Sequence, residues 1–216
     1  MTVATPLPTF LTQRYQDWKA NTYPQQQARY EDLAENGQKP RAMVISCCDS
    51  RVHATTLFGV DTGEFFMHRN IANLIPPQET DGANHATAAA MEYAITVLKV
   101  SHLIVLGHSK CGGVQGAYSK CAGDAPALEA PSSFVGKWIE FLRPAYDRVV
   151  GTGTAESEVA ALERAGVVTS LENAMGYGFV RDAVAAGDLT LHGLWTDIGT
   201  ADLLYYTGTD FQPVAP

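Results

Sequence analysis

From Arg41 onward, short apolar runs rich in β-formers alternate with segments of helical spacing, and no other feature of the chain constrains its fold as strongly. The runs are Met43 to Ser46, Glu64 to His68, Leu103 to Leu106 and Leu189 to Leu194. Helical patterns occupy Ala83 to Leu98, Ser133 to Val149 and Thr169 to Ala186. This order predicts an α/β fold with a mostly parallel central sheet and flanking helices. A last short strand near Leu203 to Tyr206 is expected at the sheet edge, with a loose tail from Thr207 to Pro216. Gly151 to Gly153 is expected to link two helices.

The first forty residues have a different character. Phe10, Leu11, Tyr15 and Trp18 mark one side of a predicted helix, and a second short helix is expected around Ala28 to Glu35. Residues 1–40 therefore form a helical arm, and residues 41–216 a single α/β domain, the default for a chain of this size. Large aromatics on such an arm need a covering surface, which a partner subunit or the chain's own domain can supply.

Composition removes several functional classes. A formal charge of −8 and a pI near 5.1 argue against nucleic-acid partners, whose phosphates require clustered Lys and Arg. The longest apolar runs fall far short of the roughly 20 residues that cross a bilayer, so no membrane span is expected. Met1 to Leu11 holds no basic residue and no long apolar stretch, which predicts no secretory signal and a cytoplasmic location. Four cysteines, two of them adjacent at Cys47 and Cys48, are too few for a disulfide scaffold. In a reducing compartment these thiols stay available for metal or catalysis.

The chemistry concentrates at two predicted strand ends. The first strand runs into Cys47-Cys48-Asp49-Ser50-Arg51, and the third into His108-Ser109-Lys110-Cys111-Gly112-Gly113. In open α/β sheets, reactive groups gather at the carboxyl ends of strands. If these two strands are neighbours, Cys47, His108 and Cys111 converge as a three-ligand set suited to zinc. Three protein ligands leave one tetrahedral position for water, the arrangement of a catalytic site.

These residues resemble the two signature motifs of the β-class carbonic anhydrases. The likeness extends through Gln38-Lys39-Pro40, the stretch from His68 to Asn73, Glu92-Tyr93-Ala94 and the double glycine, so it runs from about Gln38 to Tyr206. It implies one zinc per chain and reversible hydration of carbon dioxide to bicarbonate. It also implies a homodimer or homotetramer whose N-terminal arm embraces the neighbour. Asp49 is placed to accept a hydrogen bond from the zinc-activated water, and Arg51 to hold the Asp49 carboxylate by a charge-assisted pair. Two thiolates cancel the charge of the ion, so such help is needed. Loss of Arg51 would let Asp49 swing onto the metal and close the site. The family points to the Gly112 amide and the Gln38 side chain as substrate contacts. Phe66, Ile71 and Leu74 are candidates for an apolar wall facing carbon dioxide.

Some family members bind inhibitory bicarbonate through an arginine at the Arg69 position with a tryptophan and a tyrosine; here those places hold Val44 and Thr196, which argues against such regulation. Cys48 and Cys121 are expected to be non-ligands, Lys110 to face water, and His85 is a candidate proton relay. Two other activities are compatible with the motifs. One is hydrolysis of carbon disulfide or carbonyl sulfide on the same fold, and the other a non-catalytic zinc or thiol redox role for the cysteines.

Overall fold

A computed structural model describes residues 3–78 and 85–215, without the side chain of His85. The start of the helix expected at Ala83 and the proposed relay at His85 thus lie outside the described side chains. The chain divides into two compact units, Met1–Gln38 and Lys39–Pro216.

The first unit is a pair of helices, α1 (Thr9–Asn21) and α2 (Tyr23–Asn36), neither with a buried residue. Its own aromatics pack together, with Trp18 5.6 Å from Tyr23 and 6.0 Å from Tyr30 between ring centroids. Phe10 and Tyr15 stay exposed.

The second unit is built on β1 (Ala42–Cys47), α3 (Ala54–Phe58), β2 (Phe65–Asn70), α4 (His85–Glu92), β3 (His102–His108), α5 (Gly112–Cys121), α6 (Pro126–Glu129), α7 (Phe134–Trp138), α8 (Arg143–Val149), α9 (Ala155–Ala174), α10 (Gly178–Ala185), β4 (Thr190–Thr196), β5 (Leu203–Tyr206) and β6 (Phe211–Pro213). Among the described residues the strands form one sheet in the order β2-β1-β3-β4-β5-β6. The first four are parallel and the last two antiparallel. Strand β1 is buried along its whole length, as its unbroken apolar run requires of a central parallel strand. Met43, Ile45, Leu103 and Val105 meet Met91, Val167 and Val180 on one face, while Val44 and Leu106 meet Val52 and Ala54 on the other. A third cluster at the carboxyl end of the strands gathers Cys47, Leu74, Cys111, Leu142 and Leu162.

Four expectations change. The segment Thr169 to Ala186 is two helices, because α9 starts at Ala155 on a capping box between Thr154 and Ser157 and stops before Gly176. The segment Ser133 to Val149 breaks into α7, a 3-10 turn over Ile139–Leu142 and α8. Pro144 has no N–H to continue the helical ladder back to Glu140, so a straight helix is excluded. The helix from His85 ends in a π-turn over Tyr93–Val97. The tail is not loose: Thr207 closes a turn through Asp210, and β6 pairs with β5.

Candidate metal centre

The parallel register sets Ser46 beside Leu106, so the chain leaves β1 at Cys47 and β3 at His108 on neighbouring strands. The turn after His108 passes through Lys110 at φ 55°, which brings Cys111 back to the mouth of α5. As a result Cys47, His108 and Cys111, all buried, place their ligand atoms within 4.8 Å of one another. The two sulfurs are 3.8 Å apart. Two sulfurs bound to one tetrahedral zinc at about 2.3 Å each lie about 3.8 Å from one another, so the pair fits that ion.

His108 supplies the second test of fit. Its Nδ1 is 2.9 Å from the Ser109 carbonyl, which fixes the proton there and leaves a lone pair on Nε2. That Nε2 is fully buried and, among the described residues, has no hydrogen-bond partner. A buried imidazole nitrogen facing two thiols without a donor is the donor set of a Cys2His metal site. The two thiols are unequal. The Cys47 thiol is held well below the ordinary range by its contact with Cys111, helped by His108 and by the amides of Asp49 and Ala72, against burial. The Cys111 thiol is pushed up by the Cys47 thiolate and by burial, although the Gly113 and Val114 amides favour its ionised form. Those amides belong to the first turn of α5, where unsatisfied donors and the helix dipole stabilise negative charge.

Asp49 and Arg51 meet at the rim. Arg51 donates from Nε to Asp49 Oδ1 at 2.9 Å and from Nη2 to Oδ2 at 2.7 Å. Its backbone N–H also reaches Oδ1, at 3.0 Å. These bonds hold the Asp49 carboxyl far below the usual carboxylate range. Arg51 Nη2 also donates to the carbonyl of Lys110 at 3.1 Å, tying the turn after β1 to the turn between His108 and Cys111.

The structure brings Cys47, Asp49, Arg51, His108, Cys111 and Gly112 into one neighbourhood. Ile71 joins them: a Cβ on Gly113 would stand 2.7 Å from its Cγ2, so the first turn of α5 packs against it. Phe66 is not brought there. It pairs in register with Met43, while Asn70 pairs with Cys47, which puts Phe66 about 13 Å back along the strand. There it packs in the core with its ring 5.9 Å from Tyr93. Gln38 is exposed at the end of the N-terminal unit. Cys48 and Lys110 are exposed, and Val44 is fully buried.

Arg69 has a role that its sequence context did not signal. It donates to the carbonyls of Cys47, Asp49 and Val52 at 2.9, 2.7 and 2.9 Å, so one guanidinium shapes the whole turn that carries Cys47 and Asp49. Glu163, mid-helix in α9, accepts from the Cys111 amide at 3.2 Å, and nothing in its local pattern marked it.

Comparison with known proteins agrees with this geometry. Residues 42–203 match the protein family described as Carbonic anhydrase. Beta carbonic anhydrase 3 of Arabidopsis thaliana is 36% identical over 192 residues, covering 86% of this chain and 72% of that protein. The solved structure of the β-carbonic anhydrase CcaA superposes with a TM-score of 0.85 at 30% identity, over 95% of this chain and 90% of that one. One of two β-carbonic anhydrases of Sordaria macrospora, described as tetrameric, gives a TM-score of 0.75 at 27% identity, over 95% and 98% of the two chains.

Proposed function

Because the chain belongs to the β-class carbonic anhydrase family, a family of carbonate dehydratases, we propose that it hydrates carbon dioxide reversibly with one zinc held by Cys47, His108 and Cys111. The observation that carries this reading is the buried His108 Nε2, without a hydrogen-bond partner among the described residues, set against two sulfurs 3.8 Å apart. When bound there, zinc supplies the Lewis acidity that makes water a nucleophile near neutral pH.

The protein's own groups do the rest. Asp49, kept ionised by Arg51, accepts a hydrogen bond from the attacking water and turns its lone pair toward carbon. One O–H bond of that water breaks, one C–O bond to carbon dioxide forms, and the proton passes to buffer. Ile71, packed on the first turn of α5 with Leu74 buried in the core below the site, offers the substrate an apolar surface, and the Gly112 amide, at the start of α5, donates to an oxygen of bicarbonate. Gln38 is carried over from the family as a further substrate contact. The exposed Phe10 and Tyr15 of the arm support a homodimer or homotetramer. Four free thiols support a reducing compartment such as the cytoplasm.

Stopped-flow assays of carbon dioxide, carbonyl sulfide and carbon disulfide on one zinc-quantified preparation test the substrate assignment. Rapid turnover of carbon dioxide with little of the other two is expected. Preference for either sulfur compound would replace this reading with the hydrolase one.

A further inference from the structure

We propose that Glu163 is a positioning residue of the metal site, whose carboxylate bridges the Cys111 amide and the Trp195 indole and so holds the Cys111 sulfur in register with Cys47 and His108. The inference rests on the zinc reading above. Glu163 is 4% exposed, next to the fully buried Leu162, where a carboxylate is costly unless it is hydrogen-bonded. Among the described residues no lysine or arginine forms an ion pair with it. Instead its oxygens face N–H groups, Oε1 the Cys111 amide at 3.2 Å and Oε2 Trp195 Nε1 at 3.3 Å, with the Lys110 amide also favouring the carboxylate. Burial raises its pKa, and the same donors oppose that rise. The Cys111 amide precedes α5 and has no partner inside that helix, so Glu163 supplies the acceptor it would otherwise lack.

The helix that carries Glu163 is set rigidly against the ligand strand. A Cβ on Gly107, the residue before His108, would fall 2.6 Å from Val167 Cγ2, and one on Gly166 would fall 2.8 Å from Leu142 Cδ2. Both contacts lie within about one helical turn of Glu163. Trp195 fixes the other end of the bridge, because β4 pairs with β3 and sets Trp195 beside Gly107. The Ser109 amide bonds the Thr196 carbonyl at 2.9 Å, and the Ile198 amide bonds Ser109 Oγ at 2.9 Å. The loop from His108 to Cys111 is thus pinned to β4 directly and to α9 through one carboxylate. Groups that orient a ligand from behind typically tune metal affinity about 10- to 100-fold.

The test measures zinc transfer from the full-length zinc-loaded protein to excess chelator, with the absorption of the cobalt-substituted protein as a second readout. In Glu163→Gln the amide oxygen still accepts from Cys111, but its NH2 group faces the Trp195 N–H, donor against donor. Zinc release at least about 10-fold faster is expected, with shifted sulfur-to-cobalt bands. Trp195→Phe should speed release by a smaller factor, and the double variant should return toward the Trp195→Phe rate because the clash is gone. Phe65→Ala lowers stability from a cluster that holds neither Glu163 nor Val167, at the end of β2 away from the site, and should leave release unchanged, which separates positioning from general loosening. Wild-type release and an unshifted cobalt spectrum in Glu163→Gln overturn the inference; if that variant does not fold, wild-type release in Trp195→Phe overturns it equally. A wild-type protein that binds no zinc defeats the underlying reading and this inference with it, whereas bound zinc with unperturbed variants defeats the inference alone.

Discussion

Arg51 grips Asp49 through two side-chain hydrogen bonds of 2.9 and 2.7 Å while a third, to the Lys110 carbonyl, anchors the same guanidinium to the opposite turn. The carboxylate is therefore held at the rim rather than free to rotate. Asp49→Asn should keep zinc and lower kcat by about 100-fold or more, since the acceptor for the attacking water is lost. Arg51→Ala should also lower kcat, and should add a carboxylate signature to the cobalt spectrum as Asp49 turns inward. Stopped-flow rates and cobalt absorption of both variants check this; unchanged kcat in Asp49→Asn contradicts it.

Replacing Cys47 or Cys111 by Ser, or His108 by Ala, should remove zinc and hydration together. Each of the three side chains is buried, and among the described residues no other His, Cys, Asp or Glu joins them in a metal-binding group. Metal content by atomic absorption, on protein shown to be folded by circular dichroism, is the measurement. Retention of one zinc per chain in any of the three would remove that residue from the ligand set.

Arg69→Met should destabilise the protein by freeing the turn that carries Cys47 and Asp49. Three carbonyls of the Cys47 to Val52 turn lose their donor, which costs about 2–4 kcal/mol. Urea unfolding of the zinc-loaded proteins reads this out, and a change below about 0.5 kcal/mol would mean the turn holds without the clamp.

Acid should weaken the fold partly through His68. Its ring is half-buried, hydrogen-bonded to Thr87 Oγ1 at 3.1 Å, and burial lowers its pKa. The folded state thus disfavours the imidazolium, and the unfolded chain takes up the proton first, near pH 6.5. The stability His68 contributes is present above that pH and is lost as pH falls through the folded-state pKa. His68→Gln should flatten the fall in urea midpoint between pH 7.5 and 5; an unchanged slope would assign the acid sensitivity elsewhere.

What the sequence made legible follows from how parallel sheets are built. Strands β1 and β3 are buried on both faces, so they stand out as unbroken apolar runs, and the residue types with chemistry begin where those runs stop. Cys47, His108 and Cys111 can be grouped for that reason from the sequence alone. Arg69 and Glu163 cannot. Each binds backbone groups rather than a motif partner, and a guanidinium seeking carbonyls or a carboxylate seeking amides leaves no periodicity. Phe66 sat near the motifs in sequence, but the register with Met43 sends it to the opposite end of the strand. Pro144 interrupts the segment from Ser133 to Val149 although the amphipathic pattern runs across it.

The most direct test of the account is the rate of carbon dioxide hydration as zinc is titrated into metal-depleted protein, with bound metal quantified in each sample. The account predicts a rate that rises linearly from zero and levels off at one zinc per chain. Full hydration by the metal-free chain, or a fully loaded chain that does not hydrate carbon dioxide, would contradict it.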